Sequence, residues 1–225
     1  MYNKIMEEKI VTKEYIESKG YEVDEISPRI FAVKNFLNEK EIQSLKDIVA
    51  SKTEEDWSEH YMNGVRMLAK LKWGREDIDN LVAEGKVEIT LNWADKAIAI
   101  HEYSVTNDIN HRLSYFFDGF PDLQGNTVGT IQRQYSHVPL GKHVDNHTDP
   151  SLVYAAVIYF NDDYTDGELY FTNQNLEIRP EPGTMMLFPT TKEFEHGVNA
   201  PGEGPTRYAM PCFIARKGFY GKDNR

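Results

Sequence analysis

Downstream of residue 125 the sequence breaks into short segments of strand length, and this rhythm constrains the fold more than any other feature. The segments fall at 128–135, 140–145, 152–160, 167–172, 176–179, 184–188, 194–199 and 206–214. Turn residues divide them: Asp162-Asp163 through Asp166-Gly167, Asn173 to Asn175, Pro180 to Gly183, and Pro201 to Pro205. Helices of ordinary length do not fit between such breaks. The segments must therefore satisfy their backbone groups by pairing with one another, and eight of them at this spacing suggest a double-sheet jelly roll. The run VYAAVIYF at 153–160 is apolar almost throughout, as expected of a central strand covered on both faces.

Upstream the texture is mainly helical. Asn38 followed by Glu41 resembles a capping box, and Ile42, Leu45, Ile48 and Val49 then recur on one helical face. A second helix carries Ile109, Leu113, Phe116 and Phe117 and ends near Gly119 and Pro121. Between the two, residues 52–95 are polar and interrupted, with Trp57, Trp73 and Trp93 and a short helix expected at Arg75–Ala83. That stretch reads as a packed insertion or a lid. The expected architecture is α+β, with N-terminal helices packed on one sheet of a jelly roll. It forms one domain over 1–225, in which 1–125 supports and partly covers a core at 126–216.

Composition removes several function classes. The chain has 225 residues, 40% hydrophobic and 27% charged, as an ordinary globule does. Its formal net charge of −11 and its lack of a clustered Lys/Arg patch argue against a nucleic-acid partner. The acidity either favours a basic peptide or serves solubility alone. No apolar run approaches the ~20 residues that span a bilayer. The opening MYNKIMEEKI lacks a secretion signal's apolar segment, and a lone cysteine, Cys212, forms no internal disulfide. A reducing, cytoplasmic setting is the expectation.

Chemistry enters at His143-Val144-Asp145. In a strand, residues two apart share a face roughly 6.6 Å apart along the chain, so both side chains reach one ion above the sheet. Alone this means little, since such a pair arises by chance in roughly a third of chains of this composition. His196, just past the turn TTKEFE, supplies a third ligand. Two imidazoles and a carboxylate form the facial set that holds non-haem iron(II) with positions left open. Zinc accepts the same donors.

Arg207 decides between them. The segment HGVNAPGEGPTRYAM is a strand end, a Gly/Pro turn and a new strand, which returns Arg207 to the neighbourhood of His196. A guanidinium close to a metal is unfavourable unless an anion lies between them. A dicarboxylate that chelates the metal at one end and pairs with the planar guanidinium fork at the other removes the difficulty. Tyr159, on the central strand, is placed to add a phenolic hydrogen bond to that carboxylate.

These pieces resemble the prolyl-4-hydroxylase-like branch of the 2-oxoglutarate/Fe(II) oxygenases. The resemblance covers about residues 128–215 and rests on HVD at 143–145, IYFN at 158–161, DGELYF at 166–171, PEPGTMMLF at 180–188, EHGV at 195–198 and TRYAM at 206–210. The opening IFAVKNFLNEKEIQSL at 30–45 is similar to the family's N-terminal strand and helix. By resemblance, His143, Asp145 and His196 hold Fe(II), and Arg207 and Tyr159 bind the distal carboxylate of 2-oxoglutarate. Tyr135 lines the same pocket, although its gap to His143 is shorter than the family's. Related halogenases lack the carboxylate that Asp145 provides, so hydroxylation is implied. The implied reaction consumes O2 and 2-oxoglutarate, yields succinate and carbon dioxide, and hydroxylates a prolyl residue of a peptide or protein, with ascorbate as a reductant.

Against these stand plainer readings: a surface ion pair for Arg207, core packing for Tyr159 and Tyr135, and a solvated ring for His147, while His60, His101, His111 and His137 have no partner at a ligand spacing. Arg133, on the face of Tyr135, is a weak candidate for substrate contact. Rival functions are a hydroxylase of a free amino acid or small metabolite, a zinc or manganese cupin, and a non-catalytic jelly-roll binding module.

Overall fold

The eight segments after residue 125 become eight strands divided equally between two sheets. A computed structural model describes residues 10–62, 65–71, 103–125, 131–147 and 149–217. Strands β6 (Gln132–Gln134), β8 (Leu152–Ile158), β11 (Met185–Pro189) and β13 (Arg207–Arg216) lie in one sheet, in the order β11-β8-β13-β6. Strands β7 (Leu140–His143), β9 (Leu169–Phe171), β10 (Leu176–Ile178) and β12 (His196–Val198) form the other, in the order β10-β9-β12-β7. All of these pairings are antiparallel, which makes the double-stranded β-helix expected from the punctuation.

Strand β8 shows why the apolar run is central. Tyr154, Ala156 and Ile158 face a helical layer, while Ala155 and the following Tyr159 face the space between the sheets. Each fully buried large side chain of this kind contributes on the order of 1.5–3 kcal/mol. The helical layer consists of α1 (Lys13–Ser18), α2 (Glu39–Ala50) and α3 (Tyr103–Phe116). Helix α2 begins with the expected capping box: Asn38 Oδ1 accepts from the amides of Lys40 and Glu41 at 3.0 and 3.1 Å, and Glu41 accepts from the Asn38 amide at 2.8 Å. Leu45 on α2 and Ile109, Leu113 and Phe116 on α3 are buried. Arg112 joins the two helices through the Glu41 carboxylate and the Phe36 carbonyl. Among the described residues no helix is long and apolar enough to cross a membrane.

The upstream half is less helical than its pattern implies. It carries β1 (Val23–Ser27), β2 (Ile30–Val33), β3 (Trp57–Met62), β4 (Val65–Leu71) and β5 (Leu123–Gly125). Strand β2 pairs with β11, and β5 pairs with the far end of β13. In the polar stretch after residue 52, β3 and β4 pair antiparallel and extend the large sheet through β6. The anchor of this pair is Trp57, which is buried, with the Arg133 guanidinium 4.6 Å from its ring centroid and Tyr208 at 6.1 Å. Trp73, Trp93, His101 and the helix expected at 75–83 lie outside the described residues.

Candidate active site

Strands β7 and β12 are neighbours, and their register sets His143 directly opposite His196. The ring centroids are 4.5 Å apart. Asp145 arrives differently from the sequence expectation. Strand β7 ends at His143, and Asp145 begins a 3-10 turn over Asp145–His147. A continued strand would hold the carboxylate roughly 6.6 Å along the chain. The turn instead folds it back, so that Oδ1 lies 3.5 Å from His143 Nε2 and Oδ2 lies 3.7 Å from His196 Nε2. One donor atom from each of the three residues falls within 4.8 Å of the other two.

Both rings are held with the same nitrogen facing inward. His143 Nδ1 is 2.9 Å from the Gly141 carbonyl, and His196 Nδ1 is 3.0 Å from that of Phe194. A carbonyl only accepts, so Nδ1 carries the proton and Nε2 keeps its lone pair for the centre. Phe188 and Phe171 pack on the His196 ring at 4.7 and 5.7 Å. Burial lowers the pKa of His196 and outweighs the nearby Asp145 carboxylate. For His143 burial acts in the same direction, but the hydrogen bond to Asp145 and the Gly141 carbonyl outweigh it and raise the pKa. Two imidazoles and a carboxylate on one side of an open cavity are a donor set that suits a divalent cation such as iron(II).

That cavity measures about 830 Å³ and runs between the sheets from the triad to Arg207. Arg207 is 5% exposed. Its Nε donates to the Gly167 carbonyl at 3.0 Å and its Nη2 to Tyr159 Oη at 3.3 Å, with the guanidinium carbon 5.2 Å from the Tyr159 ring centroid. It forms no ion pair among the described residues. Tyr159, 1% exposed, has its pKa raised by burial, with Arg207 pulling the other way. The phenol therefore keeps its proton while accepting from Arg207, and that proton is available to an acceptor in the cavity.

Not every candidate converges here. Tyr135 does not line the cavity. It packs against the core on the other face of the large sheet, 5.5 Å from the Arg133 guanidinium and 3.5 Å from Glu59. Successive residues on an extended segment alternate faces, and the inward positions of β6 belong to Gln132 and Gln134. Arg133 is likewise turned away, in an ion pair with Glu54. His147 sits on the cavity rim outside the triad, and His137 is an exposed partner of Glu203. Part of the cavity wall comes from the 52–95 stretch, whose shape the sequence reading left open: β3 and β4 supply His60, Leu68 and Lys70, with Gln132 beside them. Asn63-Gly64 between two strand-length runs is the hairpin signal that would have found it.

Residues 131–215 match the family model described as the 2OG-Fe(II) oxygenase superfamily. This is the 2OG-Fe(II) oxygenase fold. The family uses Fe(II), 2-oxoglutarate and O2. Similar solved structures include three prolyl hydroxylases. The viral collagen prolyl hydroxylase of Paramecium Bursaria Chlorella virus-1, as its 2OG complex, is 13% identical with a TM-score of 0.56 over 84% of this chain and 96% of that one. A Trichoplax adhaerens prolyl hydroxylase, bound to a hypoxia inducible factor peptide fragment, is 14% identical with a TM-score of 0.60 over 91% of each chain. A Pseudomonas putida prolyl-4-hydroxylase is 15% identical with a TM-score of 0.54, over 84% and 94%. No curated protein sequence matches the chain. In this 2OG-Fe(II) oxygenase fold, the triad and Arg207 stand at opposite ends of one cavity.

Proposed function

We propose that the chain is a dioxygenase dependent on 2-oxoglutarate and Fe(II), and that it hydroxylates a prolyl residue in a peptide or protein. Strands β6–β13 serve as the catalytic core and the upstream elements as its support. The observation that carries the reading is Arg207, a buried guanidinium without an ion-pair partner among the described residues, facing the cavity that holds the triad. A buried cation of this kind calls for a carboxylate from outside the chain.

In this reading His143, Asp145 and His196 would hold the iron, with the two imidazoles and the carboxylate as donors. Arg207 binds the distal carboxylate of 2-oxoglutarate, and Tyr159 donates its hydroxyl proton to the same group. Bound Fe(II) with O2 supplies an oxidative decarboxylation: one oxygen atom enters succinate as carbon dioxide leaves, and the other enters a substrate C–H bond as hydroxyl. The chain's own part is orientation and exclusion of water, through Leu169, Val198, Ala155, Val157 and Phe213 in the cavity wall. Support for a prolyl substrate comes from the prolyl hydroxylases among the similar folds.

The test is succinate formation from 2-oxoglutarate with added Fe(II), with and without proline-containing peptides, for the wild type and His143→Ala. Peptide-stimulated succinate, hydroxyproline in the product, and loss of both in the variant are expected. Turnover of a free amino acid with no peptide oxidised would overturn the prolyl assignment. Absence of any wild-type succinate would overturn the oxygenase.

A further inference from the structure

We propose that Lys70, with Gln132 beside it, forms a carboxylate-binding subsite that fits this active site to an acidic substrate. The inference rests on the oxygenase reading and adds the charge of what is oxidised.

Strand register places the subsite. Antiparallel partners share a face, and across the large sheet Ala209 pairs with Gln132, which pairs with Lys70. Lys70 therefore stands two strand spacings from β13, roughly 10 Å across the same wall that carries Arg207. It is half-buried and lines the cavity with Gln132, Leu68 and His60. It enters no ion pair among the described residues. Partial desolvation, and then the Lys70 ammonium, hold His60 below its usual pKa. The neighbouring imidazole thus stays neutral, and the ammonium is the charged group of that corner.

The other charges around the cavity are already matched. Asp145 faces the two imidazoles, and Glu195 pairs with Lys142 at 3.6 Å. With iron and 2-oxoglutarate in place, the metal, Asp145, Arg207 and the two carboxylates of the cosubstrate balance. What remains among the described lining residues is Lys70 and Lys192. An excess of positive charge inside a chain of net charge −11 is a local reversal of sign, and a cleft concentrates its effect on an approaching ligand. A basic peptide, which the overall acidity alone would favour, meets Lys70 and Lys192. An acidic one meets an ammonium ready to bind it, with the Gln132 amide able to donate a second hydrogen bond. The carboxylate comes from an Asp or Glu near the hydroxylated residue, or from a free amino acid.

Binding separates these cases without turnover. Short fluorescently labelled peptides with a central proline flanked by Glu, Gln or Lys are titrated by anisotropy onto protein loaded with Mn(II) and 2-oxoglutarate. Glutamate and glutamine are titrated calorimetrically in parallel. Preference for Glu over Gln and Lys in the peptide series, weakened by salt, is expected of a peptide source. The same preference confined to free glutamate identifies a free amino acid, and either result supports the subsite. Lys70→Gln should cost the acidic ligand about tenfold in affinity and spare the neutral one, and Lys70→Arg should restore it. No acidic preference in the wild type, which needs no variant to be folded, overturns the proposal. So does a Lys70→Gln loss that falls on 2-oxoglutarate instead. If the wild type fails to bind 2-oxoglutarate at all, the oxygenase reading falls and takes the subsite with it. Cosubstrate binding without acidic preference sinks the subsite alone.

Discussion

A guanidinium that is 5% exposed, with one neutral carbonyl and the rings of Tyr159 and Tyr164 for company, carries a desolvation cost its neighbours do not fully offset. Two consequences of opposite sign follow for Arg207. Arg207→Met should weaken 2-oxoglutarate binding by at least about thirtyfold, as expected when one side of a buried charged pair is truncated. The same variant without ligand should melt no lower than the wild type, because an uncompensated charge has left the interior. Isothermal titration and a thermal melt measure the two, and a large loss of stability in the ligand-free variant would show Arg207 to be structural. Cys212 is the reverse case, a group that burial silences. Burial pushes its thiol up to about 12, so at neutral pH it stays protonated. Iodoacetamide should label it in the unfolded chain and leave it intact in the native one, as mass spectrometry would show. At this scale the convergence of His143, Asp145 and His196 was legible because two imidazoles and a carboxylate at that spacing are distinctive, and Arg207 and Tyr159 line the same cavity. Tyr135 was not legible, because a one-residue change of position puts a side chain on the opposite face, and no spacing argument resolves that.

Among the elements, β12 depends on a residue with no side chain. A Cβ on Gly197 would sit 2.7 Å from the Leu140 carbonyl of β7 and against the Tyr170 ring of β9. Gly197→Ala should therefore push β12 from its neighbours and displace His196 beside it. Metal affinity is expected to fall at least about tenfold, with a stability loss of about 1–3 kcal/mol. Co(II) titration and denaturant unfolding read the two effects. The β3–β4 hairpin makes a different point. All eight jelly-roll strands were readable, because turn residues bracket each and tertiary packing agrees with local preference. The hairpin was not, since its inward residues His60 and Lys70 line a cavity rather than a core, and so it lacks the alternation of a half-buried strand. Asp145 was placed in a strand for a related reason: two-residue spacing suits a strand and a 3-10 turn alike. Trp57 ties the hairpin to the core, and Trp57→Ala should cost about 3–5 kcal/mol in a denaturant titration.

For the molecule as a whole, ligands that bind only the folded state must stabilise it. Mn(II) with 2-oxoglutarate, each at a hundred times its dissociation constant, should add roughly 2.7 kcal/mol per site, or about 5–10 °C in the thermal midpoint per ligand. Arg207→Met should keep the metal increment and lose that of the cosubstrate; retention of both would mean that 2-oxoglutarate is held elsewhere. The pairing of His143 with His196 also bears on time. The two residues lie far apart in the chain and meet only once β7 and β12 have found their register. A metal ion thus has no complete site in a chain that has yet to pair β7 with β12, and cannot template that site early. Loop-closure entropy must be overcome first, by the strands alone. Added metal should leave the refolding rate almost unchanged and slow unfolding, so the ion acts as a latch on a finished structure.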